Sequence, residues 1–287
     1  MILVTGGAGL IGSHVVERLL LQGHHVRATA RNIESASFLN DFQVGKGSAL
    51  ELVQMDLLDA KSVDAAVAGC SEVIHCAAVL MVGINEVQSD LIDPSVQGTM
   101  NVCKAIEKSG TVRTIVHTSS VAAIRSSFYT NGHVFTADDW CEDASAQINP
   151  YGFAKAEGER VVRRFVEAMD EAVRPRLMTI HPSLVFGPIH HKRHLNGSMA
   201  YMKHFKGRLP FVLNSHLNFV DVRDVADAHI AALIKGPNGK RIVVHTKGMW
   251  MNEIGIELRR LRPKTAYPTR VLPKWLTVVM AAFHPKL

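Results

Sequence analysis

The chain has 287 residues, enough to bury one large core with room for a smaller appended lobe. At 47% hydrophobic, 6% aromatic and 20% charged residues, its composition is that of an ordinary globular protein and excludes a disordered or fibrous one. A net charge of +6 draws anionic ligands, but nucleic acid is an unfavoured partner: Lys and Arg are dispersed without interleaved aromatics, and the dense basic stretch is only His190–His194.

The first residues enter directly into Ile2-Leu3-Val4 with no basic segment ahead, so no secretory signal and a cytoplasmic location are expected. Ile2 to Thr5 is the first β-branched run, and a glycine-rich turn follows it. Leu10 to Leu21 then carries apolar residues at helical spacing and stops before Gly23. Val26 to Ala30 starts a second strand. Further strands are predicted at Leu52–Met55, Val73–His75, Thr114–Thr118, Leu177–His181 and Ile242–His245, with helices at Val63–Ala68, Ser95–Lys108, Pro150–Met169, Val222–Leu233 and Asn252–Leu261.

This alternation predicts an α/β fold, a doubly wound parallel sheet of Rossmann type with a small C-terminal substrate-binding lobe. Residues 1–180 form mainly the dinucleotide-binding domain, with a returning segment around 215–247, while 181–214 and 248–287 form the lobe. Cys70, Cys76, Cys103 and Cys141 lack a two-residue spacing and read as reduced packing residues rather than a zinc or redox pair. The apolar stretch Trp275 to Phe283 is about half of the ~20 residues a membrane span needs, so it reads as a buried or interfacial helix.

Thr5-Gly6-Gly7-Ala8-Gly9-Leu10-Ile11-Gly12 lies where the first strand gives way to the first helix, the context a dinucleotide fingerprint requires. Gly6 allows the sharp turn, Gly9 lets the backbone approach a pyrophosphate, and Gly12 permits close helix packing. The helix start through Leu10 and Ile11 offers free N–H donors. Glycines after a strand can also form a plain turn. Against that, Arg31 ends the second strand, where a guanidinium can grip a 2′-phosphate with paired hydrogen bonds. Arg31 therefore favours NADP(H) over NAD(H), although an exposed strand-end arginine would look the same. Asp56, followed by Leu57, is placed to meet the adenine amino group or to cap a loop.

Pro150-Tyr151-Gly152-Phe153-Ala154-Lys155 opens a helix, and the i, i+4 spacing puts Tyr151 and Lys155 on one side of it. A phenol of ordinary pKa about 10 exchanges protons at neutral pH only when a neighbouring cation stabilises its phenolate. Thr118-Ser119-Ser120 ends a strand at the edge that doubly wound folds use for ligands; Ser120 is preferred over Ser119 for hydrogen bonding to the substrate oxygen, with a capped turn as the plain alternative.

Together these segments resemble the extended short-chain dehydrogenase/reductase family, within the NAD-dependent epimerase/dehydratase superfamily, and most closely its dihydroflavonol-4-reductase and cinnamoyl-CoA-reductase-like branch. The resemblance also runs through Val73–Ala78, Gly98–Val102, His181–Pro188 and Phe219–Ala226. It implies a Ser120, Tyr151, Lys155 triad, with Lys155 also holding the nicotinamide ribose, and Cys76, Ala77, Ala78, Pro182 and Val185 lining the nicotinamide half of the groove. The implied reaction is NADPH-dependent reduction of an aldehyde or ketone, reversible as alcohol oxidation. No metal is implied, and a homodimer through the long helices Ser95–Lys108 and Pro150–Met169 is open.

Three positions depart from that branch. Phe38 stands roughly where a second phosphate-binding lysine is common, Ser95 stands where many members have asparagine, and the C-terminus is short after Phe283–Leu287. An apolar substrate pocket is expected from Ser126–Trp140 and Pro188–Met202, with Phe128, Tyr129, Phe135, Met199, Tyr201 and Met202 as its candidates or else as packing of the lobe. The His190–His194 cluster could contact an acidic substrate or a metal, but a solvated loop is the favoured expectation, since the implied catalysis needs no metal. Competing readings are a 3β-hydroxysteroid dehydrogenase or an NDP-sugar epimerase or dehydratase using NAD, and a nucleotide-binding redox sensor that lacks catalysis.

Overall fold

The computed structural model describes residues 1–78, 85–128, 132–206 and 210–276. Seven strands form one parallel sheet: β1 (Ile2–Thr5), β2 (His25–Ala30), β3 (Ala49–Gln54), β4 (Glu72–His75), β5 (Thr114–Thr118), β6 (Arg176–Pro182) and, later in the chain, β10 (Arg241–Val244). Their spatial order is β3-β2-β1-β4-β5-β6-β10, with the direction of strand addition reversing beside β1. Such a switch point opens a crevice at the carboxyl ends of the strands, where these folds take ligands.

Period-two alternation explains why both faces are covered. Val4, Ile74, Val116 and Ile180 point to the side packed by α1 (Leu10–Leu21) and α5 (Val222–Lys235), with Val16, Leu19, Leu20, Ile230 and Leu233 facing them. Their neighbours Leu3, Val73, Ile115 and Leu177 point to the opposite side, against α2 (Ala60–Val67), α3 (Asp93–Ser109) and α4 (Pro150–Ala168) through Val63, Val67, Val102, Ile106 and Val162. The sequence-predicted strands and helices of this layer match within a few residues, because their apolar runs are buried on both sides.

The lobe is built from short strands. β7 (Leu184–Phe186) pairs with β9 (His216–Asp221), which pairs antiparallel with β11 (Lys247–Trp250). β8 (Phe211–Val212) pairs with β12 (Arg270–Val271). Phe205, Val212, Leu217 and Met251 are their core, packed by Met202 and by Ile254 and Leu258 of α6 (Met251–Leu261). Within the returning segment, β10 rejoins the large sheet whereas β9 belongs to the small one. Of the buried or interfacial helix expected from Trp275 to Phe283, residues 274–276 are helical and Trp275 is 69% exposed, so it is not buried at its start; residues 277–287 lie outside the described ones.

Candidate active site

The glycine turn is built as its residues dictate. Gly6 has φ +65°, and a Cβ there would press 2.7 Å from the Ala77 backbone, so the turn and the loop after β4 can touch only across glycine. A Cβ on Gly12 would collide with the Gly6 carbonyl. Gly6 donates to Thr29 Oγ1 at 3.3 Å, and Ala77 donates to Thr5 Oγ1 at 3.1 Å, fixing the turn between β2 and β4. Gly9, the N-cap of α1, supplies no side-chain acceptor and the first turn has no acidic residue, so its amides face an anion unopposed. These features fit a dinucleotide pyrophosphate.

Arg31 is exposed at the end of β2, and its guanidinium has no hydrogen bond or ion pair among the described residues. Asp56 is also exposed, but its carboxylate accepts from the Leu58 amide at 2.9 Å and closes the turn after β3. Leu57 is held more firmly: Asn101 donates to its carbonyl at 2.7 Å, and its side chain occupies the space a Cβ on Gly98 would need. Leu57, Ala77, Ala78 and Lys155 line one small pocket with Ser95, Thr99 and His117. Leu10 and Ile11 pack on Val185, next to Pro182 at the end of β6. The structure thus brings Leu57, Ala77, Ala78 and Lys155 to one pocket and Leu10, Ile11 and Val185 to one cluster, with Arg31 exposed after β2.

Asn149, in a left-handed conformation at φ 55°, accepts from the Gly152 amide at 3.0 Å and starts α4 immediately before Pro150. This cap sets Tyr151 in the first turn. Ser120 stands beside the Tyr151 phenol, and its hydroxyl accepts from the Ala122 amide at 3.1 Å. Burial pushes the Tyr151 pKa up, and the Ser120 contact opposes that rise. Lys155 Nζ donates to the Thr118 carbonyl at 3.2 Å. Burial brings its pKa down to about 8, while the neighbouring Cys76 and Glu159 act in the opposite sense. The Cys76 thiol is raised to about 11 by burial, so it is not a nucleophile.

Two adjacent serines have different jobs. Ser119 is buried and donates to Glu159, leaving Ser120 beside Tyr151. Glu159 also accepts from His181 Nε2 at 2.6 Å, Arg163 at 2.9 Å and Arg241 at 2.8 Å. The sequence reading did not single out Glu159, although its place four residues beyond Lys155 on the same helix was visible. Asn149 was likewise legible as a helix-starting residue before proline. His117 had no local signal: it lies in the small pocket with Lys155, and its Nδ1 is buried without a partner among the described residues.

One expectation holds only in part. Within His190–His194, His191 and Lys192 are exposed, but His194 is buried with Nε2 3.0 Å from the Ala8 carbonyl, and His190 Nδ1 lies 3.2 Å from Ser13 Oγ. Arg193 donates to the Ser35 carbonyl. Phe38 explains the docking, since it offers an aromatic face on which His191 stacks at 5.2 Å. Of the substrate-pocket candidates, Phe128 and Tyr201 are exposed, Met202 packs in the lobe core, and Tyr129 lies outside the described residues.

Comparison with known proteins agrees with this geometry. The sequence model of the NAD dependent epimerase/dehydratase family matches residues 2–244. Tetraketide alpha-pyrone reductase 2 of Arabidopsis thaliana is 35% identical over 90% of this chain and 81% of its own length. Cinnamoyl-CoA reductase CAD2 of Medicago truncatula is 30% identical over 94% and 83%. Among solved structures, yeast methylglyoxal/isovaleraldehyde reductase Gre2 complexed with NADPH has a TM-score of 0.83 at 26% identity, covering 93% of this chain and 85% of that one.

Proposed function

The chain belongs to the NAD-dependent epimerase/dehydratase family, and on that premise we propose that it is an NADPH-dependent reductase of an aldehyde or ketone carbonyl. The observation that carries the reading is the placement of Ser120 beside the buried Tyr151 phenol, with Lys155 one helical turn further along α4. The relatives named above, reductases by name, support the substrate class. The bound dinucleotide supplies the hydride to the carbonyl carbon.

The chain's own residues do the rest. Ser120 donates to the carbonyl oxygen and polarises it. Tyr151, kept protonated by its raised pKa, delivers the proton that the oxygen gains. Lys155 stabilises the resulting phenolate and holds the nicotinamide ribose, with its own position fixed by the Thr118 carbonyl. The α1 amides receive the pyrophosphate, and the unpaired guanidinium of Arg31 receives the 2′-phosphate. Pro182, Val185 and Cys76–Ala78 wall the nicotinamide end.

Residues 1–180 with 215–247 hold the dinucleotide in this proposal, and 181–214 with 248–287 cover the substrate. Among the described residues no helix is long and apolar enough to cross a membrane. Four free cysteines support a reducing compartment, and so the cytoplasm. A homodimer through α3 and α4 belongs to the same proposal, and light scattering checks it.

The test is a binding titration with NADPH and NADH, repeated on Arg31→Ala. Preferred NADPH binding that weakens roughly 10–100-fold in the variant, with NADH binding unchanged, supports the assignment. Preference for NADH in the wild type overturns it in favour of the steroid-dehydrogenase or epimerase class.

A further inference from the structure

Outside the catalytic set, three metal-ligating side chains converge where the segment after β7 crosses α1. His14 and Glu17 stand one turn apart on α1, and His190 comes from the crossing segment. Glu17 Oε2 lies 3.8 Å from His14 Nδ1 and 3.5 Å from His190 Nε2, and the three ligand atoms are all within 4.8 Å of one another. A tetrahedral zinc with bonds of about 2.0–2.1 Å spaces its ligands about 3.3 Å apart, so small side-chain rotations close the set.

The other ring nitrogens are already engaged. His14 Nε2 is 3.1 Å from the Pro188 carbonyl, and His190 Nδ1 is 3.2 Å from Ser13 Oγ. Ligating histidines are oriented in this way, through a partner on the nitrogen that does not bind the metal. The imidazoles are themselves in contact, with ring centroids 4.1 Å apart and planes tilted by 33°, and Phe42 packs against His190 at 4.7 Å, which restricts the rotamers of the crossing residue.

We propose that His14, Glu17 and His190 form a divalent-metal site of the zinc class, with three protein ligands and one open position, that clamps the 188–194 segment onto α1. Two imidazoles and one carboxylate select zinc, cobalt or nickel over calcium or magnesium, which prefer all-oxygen shells. The site shares no residue with the glycine turn or with Ser120, Tyr151 and Lys155, so its role is to tie the lobe side of the fold to the nucleotide-binding helix. The same crossing segment puts His194 on the Ala8 carbonyl, so the clamp sits over the outer wall of the cofactor crevice.

The experiment is a zinc titration of the untagged, chelator-treated full chain by calorimetry, with thermal melting as a second readout. One zinc per chain is expected, with a rise in melting temperature. His190→Ala and Glu17→Gln should each weaken binding by at least ~10-fold, the smaller loss expected even for an outer-shell partner. His25→Ala, an exposed histidine at the start of β2 and outside the crossing segment, should leave it unchanged. Glu17 lies on the half-buried face of α1, so its glutamine variant keeps the fold and reports the ligand directly. Absence of saturable binding overturns the proposal, as does zinc binding that survives both ligand substitutions or disappears in His25→Ala.

Discussion

The Ser119 hydroxyl donates to the buried carboxylate of Glu159 at 2.8 Å. Being committed there, it leaves Ser120 as the serine that meets Tyr151. One hydrogen bond across 40 residues therefore distinguishes two chemically identical neighbours, tying Ser119 to α4 and leaving Ser120 beside the proposed catalytic tyrosine.

Ser120→Ala should lower kcat for carbonyl reduction about 10²–10³-fold, the usual loss for one donor to a developing oxyanion, with little change in NADPH affinity. Ser119→Ala should instead act on the fold, costing ~1–3 kcal/mol because a buried acceptor loses a donor. Steady-state kinetics and urea melts on the two variants separate these outcomes; equal kinetic losses would contradict the assignment.

Glu159 is the anchor of the far side of α4. Burial alone would raise its carboxyl, yet the His181 and Arg241 contacts hold it well below the usual carboxylate range. Glu159→Ala leaves Arg163 and Arg241 facing each other in the interior, and Arg241 further confined 3.9 Å over the Trp140 ring. The expected loss is about 3–5 kcal/mol of unfolding free energy, measured by denaturant titration.

Acid should destabilise the protein well above the carboxylate range. Burial lowers His75 and His229 to about 4 each, against 6.5 for the free side chain. Unfolding therefore takes up protons between those values, so the stability is complete above about pH 6.5 and is lost as pH falls towards 4. Urea midpoints at pH 7 and pH 5 check this, and an unchanged midpoint would contradict neutral buried histidines.

Activity should respond at the other end. Lys155 must be protonated to stabilise the phenolate, and burial brings its pKa down to about 8. Reductive kcat/KM should therefore fall as pH rises through that value, before the Tyr151 phenol, whose pKa is raised, has lost its proton. The pH profile of kcat/KM for the carbonyl at saturating NADPH, which reads the enzyme–NADPH complex, gives the comparison.

The large sheet was legible because short β-branched and apolar cores such as Ile2–Val4, Val73–Ile74 and Ile115–Val116 recur between helical patterns, and because the glycine turn carries its own steric logic at Gly6 and Gly12. β7, β9 and β11 were not: they are short, they alternate polar residues such as Asn218 and Lys247, and their pairing partners lie far along the chain. Tyr151 and Lys155 were singled out from helical spacing taken together with the Thr118–Ser120 strand end of the same sheet. The work of Glu159, the docking of His190–His194 on Phe38 and the pocket shared by Leu57 and Lys155 depend on long-range contacts that no local pattern announces.

The most direct measurement is NADPH consumption with a panel of aldehydes and ketones, by the wild-type chain and by Tyr151→Phe. The variant keeps the ring and loses only the proton donor. The account predicts carbonyl-dependent turnover that drops about 10²–10⁴-fold in the variant while NADPH binding is retained. Turnover that survives unchanged in Tyr151→Phe would contradict it.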